Sequence, residues 1–597
     1  MDWRLLMLAV VCAGSMKTFA LLVTILLVLA VPAAAETAAD SRFTQIYQAE
    51  WAWRSSTSAA GEDSGQDTVA AHLPDVDAGA QRQRLDYWNG IEDQLAGIDI
   101  TQLSAENQVN FQVYKLQIDS LVAAQRFREY ERPVNSDSAF WSDLTYAADA
   151  SFHSEQDYRN YLGQLGDFGR YFDQEMANMR AGLKRHFTPP QVTLEGRDVS
   201  VRSVIEAKPQ ETAFYKPFIT MPPTIPVATQ QALRDQAIDV ISRVVVPAHK
   251  KLLAFLDDDY IPHAQTALGA SALPDGAAYY QSKIHEFTTL DLTPAQIHQI
   301  GLDQVALIHA QMLDIVTEVG FQGDFAAFIA DLRSNPKFYA ATPQALLDRA
   351  AWTAKRFDGV AGTWFGHLPR QRFGIIPVPD DIAPYYTSGR GGPGVYLVNT
   401  YDLKSRPLFQ LAALTLHESA PGHAFQMPLA AENKSLPAFR QQTYISAYGE
   451  GWALYCEKLG DEMGLYDTPY DRFGMLSYQM WRASRLVVDT GIHSQGWTRE
   501  QARQYLRDNT ALSEHEIDTE VDRYISWPGQ ALSYYLGEMA IVDARAKAEK
   551  ALGVKFNIRA FHDSVLELGS VPLPVLTAHI DAFIAGGGVG PYPDEEK

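Results

Sequence analysis

Cysteine is nearly absent: the 597 residues contain two, Cys12 and Cys456. Cys12 falls in a segment expected to be removed, so the mature chain can form no intramolecular disulfide. A large buried core must hold the protein together instead, and the chain is long enough to have one. An excess of positive charge is also lacking. The 50 Lys and Arg stand against 72 Asp and Glu, a net charge of -22, which excludes the basic face that nucleic-acid binding needs. There is no charge block, low-complexity tract or internal repeat. The longest apolar run is Phe19–Val31, preceded by Lys17 and followed by Pro32 and Ala33-Ala34-Ala35. That run is short for a membrane anchor and ends in small residues suited to a signal peptidase. Residues 1–35 are therefore read as a signal peptide, with Met16 opening it and 1–15 an upstream start-site extension. The expectation is export, periplasmic or secreted, with no stable membrane span after leader removal. Val11 stands where lipidation would require a small residue, which argues against Cys12 as a lipid anchor.

What is present suits a soluble protein, with 46% hydrophobic and 20% charged residues to fill a core and cover it. Residues 36–270 read as an N-terminal helical region. Helical spacing marks Ala80–Leu95, Thr101–Gln125, Asp143–Met176 and Gln230–Asp257, and Pro189-Pro190 and Pro222-Pro223 mark turns. Trp51 and Trp53 are assigned to core, and Gly61–Asp75 to a polar loop. No catalytic cluster shows in this half; it reads as a wall. Residues 271–597 read as a second helical region of the same domain, carrying the chemistry. Pro294 opens a helix whose His298 and His309 are read as satisfied or surface histidines. Phe373–Pro379 and Gly394–Thr400 are short β-branched and aromatic runs bounded by Gly and Pro, hence strands. Gly389–Pro393 is expected as a mobile loop leading into the second. The fold expected is mainly α: a large two-lobed helical body around a deep cleft, with a small β element before the motif below.

That motif is Leu411–Gln426, an apolar run with His417 and Glu418 side by side and His423 six positions after the first histidine. His-Glu-x-x-His on a helix is a zinc-hydrolase signature, in which two imidazoles hold the ion and the glutamate takes a proton from water. Here Pro421 and Gly422 are inserted before the second histidine. On an unbroken helix, residues six apart diverge by about 120°, too far to share one ion. Proline breaks the helix, and glycine permits a left-handed turn that would swing His423 back. A third ligand is offered by Tyr444–Glu457, read as a helix with Glu450 and Glu457 seven apart on one face. His417, His423 and Glu450 then form the ligand set, with one coordination position left open, a plan similar to the two-helix arrangement of thermolysin-like metallopeptidases. Cys456 on the same helix is read as a buried small hydrophobe.

His-Glu-x-x-Pro-Gly-His followed by Glu450-Gly451-Trp452-Ala453-Leu454-Tyr455 resembles the bacterial domain-of-unknown-function 885 family, regarded as zinc-peptidase-like. Val487–His493, Gly496–Ala502, Glu520–Ile525 and Pro528–Ala531 with Tyr534 extend the resemblance over nearly everything after the leader. It implies a mostly helical peptidase, distantly similar to thimet oligopeptidase and angiotensin-converting enzyme, acting on short peptides with one Zn2+ per chain. Glu418 is the expected general base. His493 and Tyr534, late in the chain where helical peptidases of this type place such groups, are the expected donors to the tetrahedral oxyanion. The resemblance favours Tyr534 over Tyr535. In zinc peptidases a strand edge before the zinc helix binds substrate main chain, which marks Tyr396 and Asn399 for substrate. A structural hairpin is the plain alternative there. Two other functions stay open, a zinc hydrolase of an ester or non-peptide amide and an inactive binding protein that keeps the pocket. Arg390, Arg482 and Arg485 could bind a free carboxylate, or serve in structural ion pairs.

Overall fold

The computed structural model describes residues 37–57, 69–136, 138–380 and 383–593. The expected leader, part of the expected polar loop after residue 60 and the acidic C-terminal tail lie outside them. The described chain is mainly helical with one small sheet.

Three helices, α1 (Ala38–Thr57), α2 (Ala78–Ala96) and α3 (Ala105–Phe127), open the fold. Asp77 caps α2 by accepting from the Gly79 and Ala80 amides, and Ser104 caps α3 by accepting from Asn107. Their buried faces do not close on themselves. Phe43, Leu95 and Tyr114 share one core with Trp452, Ile541 and Phe561 from the C-terminal half. A separate core forms around α4 (Glu155–Arg185), α5 (Val227–Val240) and α6 (Val246–Phe255), filled by Leu165, Phe172, Leu233 and Leu252. A π turn at Ile241–Val245 joins α5 to α6 just before Pro247, whose missing amide hydrogen removes a ladder bond there.

The C-terminal half stacks helices around one central element. It begins with α7 (Gly276–Thr288), α8 (Pro294–Glu318) and α9 (Pro343–Trp364). As expected, Pro294 lies in the first turn of α8, behind a capping box between Thr293 and Gln296. His298 is satisfied, its Nδ1 2.8 Å from Thr490 Oγ1. The sheet follows: β1 (Gly374–Pro377), β2 (Gly389–Gly392) and β3 (Val395–Val398), in the order β1-β3-β2. β1 runs parallel to β3 with Gly374 opposite Val395, and β2 runs antiparallel with Gly389 opposite Val398. The two strands read from sequence are present. The glycine stretch read as a loop is instead the third strand.

Then come α10 (Leu408–Glu418), α11 (His423–Glu432), α12 (Ser446–Glu462), α13 (Pro469–Gln495), α14 (Glu514–Ser526) and α15 (Ser533–Leu552). Every residue of α10 from Phe409 to His417 is buried. A helix apolar on all sides belongs at the centre of a helical body, and α10 packs against α9, α12 and α13. β2 lies against its C-terminal end. Cys456 is fully buried, in the core with Trp452 and Leu459. No helix among the described residues is long and apolar enough to cross a membrane.

Candidate metal centre

The helix breaks where the proline and glycine stand. α10 ends at Glu418 and α11 begins at His423, so the two histidines occupy the last turn of one helix and the first residue of the next. The Ala420–Pro421 peptide is cis. Gly422 is not left-handed, as the sequence reading had it: its φ is -74° and ψ -132°. Glycine is needed there for room. A Cβ at 422 would lie 1.8 Å from the His417 carbonyl oxygen, so the returning chain crosses the end of α10 at backbone contact. The outcome is the expected one by a different route. The two imidazole rings meet nearly at right angles, their centroids 4.9 Å apart.

α12 brings Glu450 and Glu457 to His417. Glu450 Oε2 is 3.4 Å from His417 Nε2 and 3.3 Å from His423 Nε2. Glu457, two turns on, accepts from His417 Nδ1 at 2.8 Å. Glu450 is near the surface of the site, whereas Glu457 is sealed from solvent. The structural role of Glu457 is to fix the ring orientation of His417 so that Nε2 faces Glu450. Burial alone would lower the pKa of His417, but hydrogen bonds to Glu450 and Glu457 outweigh it and hold the imidazole up at about 10. Burial would likewise raise Glu450, and the two histidines hold it well below the usual carboxylate range.

Three donors, His417 Nε2, His423 Nε2 and Glu450 Oε2, are the chemistry of a zinc site, and ligand atoms of these three residues lie within 4.8 Å of one another. Tetrahedral ligation at about 2.0–2.1 Å would separate neighbouring donors by roughly 3.3 Å. The measured 3.3 and 3.4 Å between imidazole nitrogens and carboxylate oxygen fit it. The donor set therefore suits the ion.

Glu418 lies outside the trio. Its Oε2 accepts from the Gly391 amide of β2 at 2.6 Å. β2 is pressed onto the helix end so closely that a Cβ at Gly391 would fall 1.7 Å from the Glu418 carbonyl oxygen. Nothing in the glycine-rich sequence gave this contact. Tyr444, six residues before Glu450, donates to Glu450 Oε1 at 2.9 Å and was also missed, because the spacing spans a helix start.

Of the two expected oxyanion donors, the structure brings one to the site. The Tyr534 ring lies near-parallel to that of His417, with centroids 6.4 Å apart. Arg523 donates to its hydroxyl oxygen at 3.3 Å, so the phenol hydrogen is left to give elsewhere. Tyr535 turns the other way, onto Gln304 of α8. His493 needs correction. It is buried, its Nε2 donates to the Tyr524 carbonyl at 2.8 Å, and its Nδ1 accepts from the Ala270 amide at 3.0 Å. Burial lowers its pKa to about 4, so it is a neutral tie between backbone segments with no hydrogen to offer.

Tyr396 and Asn399 are corrected as well. β3 is the central strand, hydrogen-bonded on both sides, and has no edge to lend. Tyr396 is fully buried among Leu346, Val398 and Leu411. Asn399 Nδ2 donates to the carbonyls of Ala383, Tyr386 and Thr387, which pins the loop before β2. The edge strand that borders Glu418 is β2. Arg482 and Arg485 are buried in ion pairs, the first 3.5 Å from Glu457 and the second 2.9 Å from Glu520.

The family model described as "Bacterial protein of unknown function (DUF885)" matches residues 56–580. A solved structure from Colwellia psychrerythraea, carrying a provisional lipoprotein designation, superposes with a TM-score of 0.82 at 27% identity, covering 92% of this chain and 100% of that one. A second, from Shewanella oneidensis and designated likewise with unknown function, gives 0.64 at 16% identity, covering 90% and 98%. No curated protein matches the sequence.

Proposed function

The chain belongs to the bacterial DUF885 family, whose description assigns no reaction, and we propose that it is a zinc-dependent hydrolase of peptide bonds in short peptides. One observation carries the reading: two imidazoles from a broken helix and a carboxylate from the next helix converge at donor-to-donor distances suited to one zinc ion, with Glu418 beside them. His417, His423 and Glu450 hold the ion. When bound, zinc supplies Lewis acidity, acidifying water and polarising a carbonyl.

Each remaining step belongs to a side chain. Glu418 Oε1 takes a proton from the attacking water and delivers it to the leaving amine, while the Gly391 amide keeps the carboxylate turned. Tyr534, its oxygen held by Arg523, donates its hydrogen to the oxyanion. Substrate main chain lies along β2, the strand bordering Glu418, in place of the central β3. Export is part of the proposal, supported by the lipoprotein designations of the Colwellia and Shewanella structures.

The test is metal content with turnover. Purified protein should carry about one zinc per chain, lose activity to a chelator, and cut a mixed peptide library by mass spectrometry. His417→Ala and His423→Ala should each abolish stoichiometric zinc. Full retention in both would mean that the ligands are wrongly assigned. Cleavage of ester or non-peptide amide analogues with intact peptides would assign the same centre to a different bond.

A further inference from the structure

Glu450 presents one oxygen to the histidines, and its other oxygen has a dedicated partner. Tyr444 donates its hydroxyl to Oε1 at 2.9 Å, while Oε2 faces His417 and His423 at 3.4 and 3.3 Å. Tyr444 differs from its neighbours in exposure, being 43% exposed where His417 is 2% and His423 6%. The chain is pinned beside it, because the Ile445 amide donates to Ser570 Oγ at 2.7 Å. From that anchor the ring reaches over the first turn of α12 and rests on Gly449. A Cβ at Gly449 would fall 2.4 Å from Tyr444 Cε2 and 2.7 Å from its hydroxyl oxygen. The ring therefore occupies the space that any side chain at 449 would need. Its centroid is 6.5 Å from that of His423, so the ring also borders the trio.

A carboxylate has two nearly equivalent oxygens and can grip a cation with either or both. A hydrogen bond from a phenol to one of them favours single-oxygen ligation by the other. We propose that Tyr444 is a positioning residue that holds Glu450 as a one-oxygen ligand, seated by the missing side chain of Gly449. This rests on the zinc reading of the centre. Its consequence is a coordination position kept open: two imidazoles and one oxygen make three donors, the number found in catalytic zinc sites, whereas a chelating Glu450 would make four.

The exposed ring makes the test clean, since Tyr444→Phe removes one oxygen and opens no cavity. Zinc affinity is measured by competition with a chromophoric chelator, and the visible absorption of the Co2+-loaded protein reports coordination number. Tyr444→Phe is expected to lower zinc affinity about 10- to 100-fold, the scale for losing a partner of a metal ligand. Its cobalt bands should weaken as the coordination number rises. Gly449→Ala, which displaces the ring, should reproduce both changes, and the double variant should be no worse than either single one. Wild-type affinity and an unaltered cobalt spectrum in Tyr444→Phe would overturn the proposal while leaving the zinc reading intact. A wild-type chain that takes up neither Zn2+ nor Co2+ would overturn the zinc reading instead. If Gly449→Ala fails to fold, Tyr444→Phe decides alone.

Discussion

The core around α4 to α6 and the core around α10 and α12 bury ionisable groups on opposite terms. In the first, burial lowers His249 to about 4, its Nδ1 resting 2.8 Å from the Val245 carbonyl. Burial raises Glu175 to about 7, with hydrogen bonds from Asn178 and Tyr171 offsetting only part. Both groups give up charge, the cheap response to a low-dielectric site. Around α10, His417 lies between Glu450 and Glu457, Arg485 is paired with Glu520 and Arg482 lies beside Glu457. Keeping charges in an interior costs several kcal/mol per ion before pairing offsets it. A fold that needed only stability could fill this space with apolar side chains, as the N-terminal core does. The contrast is the one the proposed function calls for, a wall that serves stability and a second core that carries the proposed chemistry.

The largest effect that tests this contrast is on rate. Glu418→Gln keeps shape and hydrogen-bonding reach but removes the basic oxygen. Zinc content and peptide binding should stay near normal while kcat falls at least ~10²-fold, the scale of a lost general base. A substitution in the other core, His249→Leu, should leave kcat and zinc content unchanged. Loss of zinc from Glu418→Gln would place that residue among the ligands.

Next in size is the carboxylate behind His417. Glu457→Gln should weaken zinc binding about 10- to 100-fold, because an amide no longer fixes the ring by accepting as a carboxylate does. Activity should then follow zinc occupancy and recover when excess zinc is supplied. Chelator competition reads the affinity directly. Unchanged affinity would reduce the 2.8 Å contact to a packing detail.

The ligand residues were legible because metal chemistry demands particular side chains at particular spacings, and Pro421-Gly422 announced the break that makes six residues work. The helices and two strands were legible from periodicity. What failed was direction. His493 lies in the last turn of a 27-residue helix, and nothing in its neighbours says that the ring points at Ala270 and Tyr524 rather than the site. Alternation along β3 gave no sign that it would be the middle strand. β2 lacks the β-branched residues that mark strands, because contact with α10 admits only a glycine at 391. Tyr444 and Gly391 both act through one hydrogen bond across a chain reversal, a relation with no fixed spacing to read.

The smallest expected effect concerns a group that breaks the rule of its own region. Glu538, on α15, is buried in the charged core, with Gln479 beside its carboxyl group. Burial, with the nearby Glu457 charge adding and Lys458 opposing, pushes its pKa up to about 8. It thus behaves like Glu175 in the wall. The folded value lies above the unfolded one, so this group's contribution to stability is complete below its ordinary value of 4.5 and is lost as pH rises through about 8. Between pH 5 and 9 the unfolded chain ionises first and is favoured, by roughly 4 kcal/mol at about 1.4 kcal/mol per unit. Glu538→Gln cannot ionise and should lack this loss. Urea midpoints of the metal-free proteins at pH 5 and pH 9 should therefore fall further for wild type than for the variant, with the two closest at pH 5. Equal falls would mean that Glu538 stays ionised in the fold. It would then be a further charged acid of the centre, beside Glu450, Glu457 and Glu520.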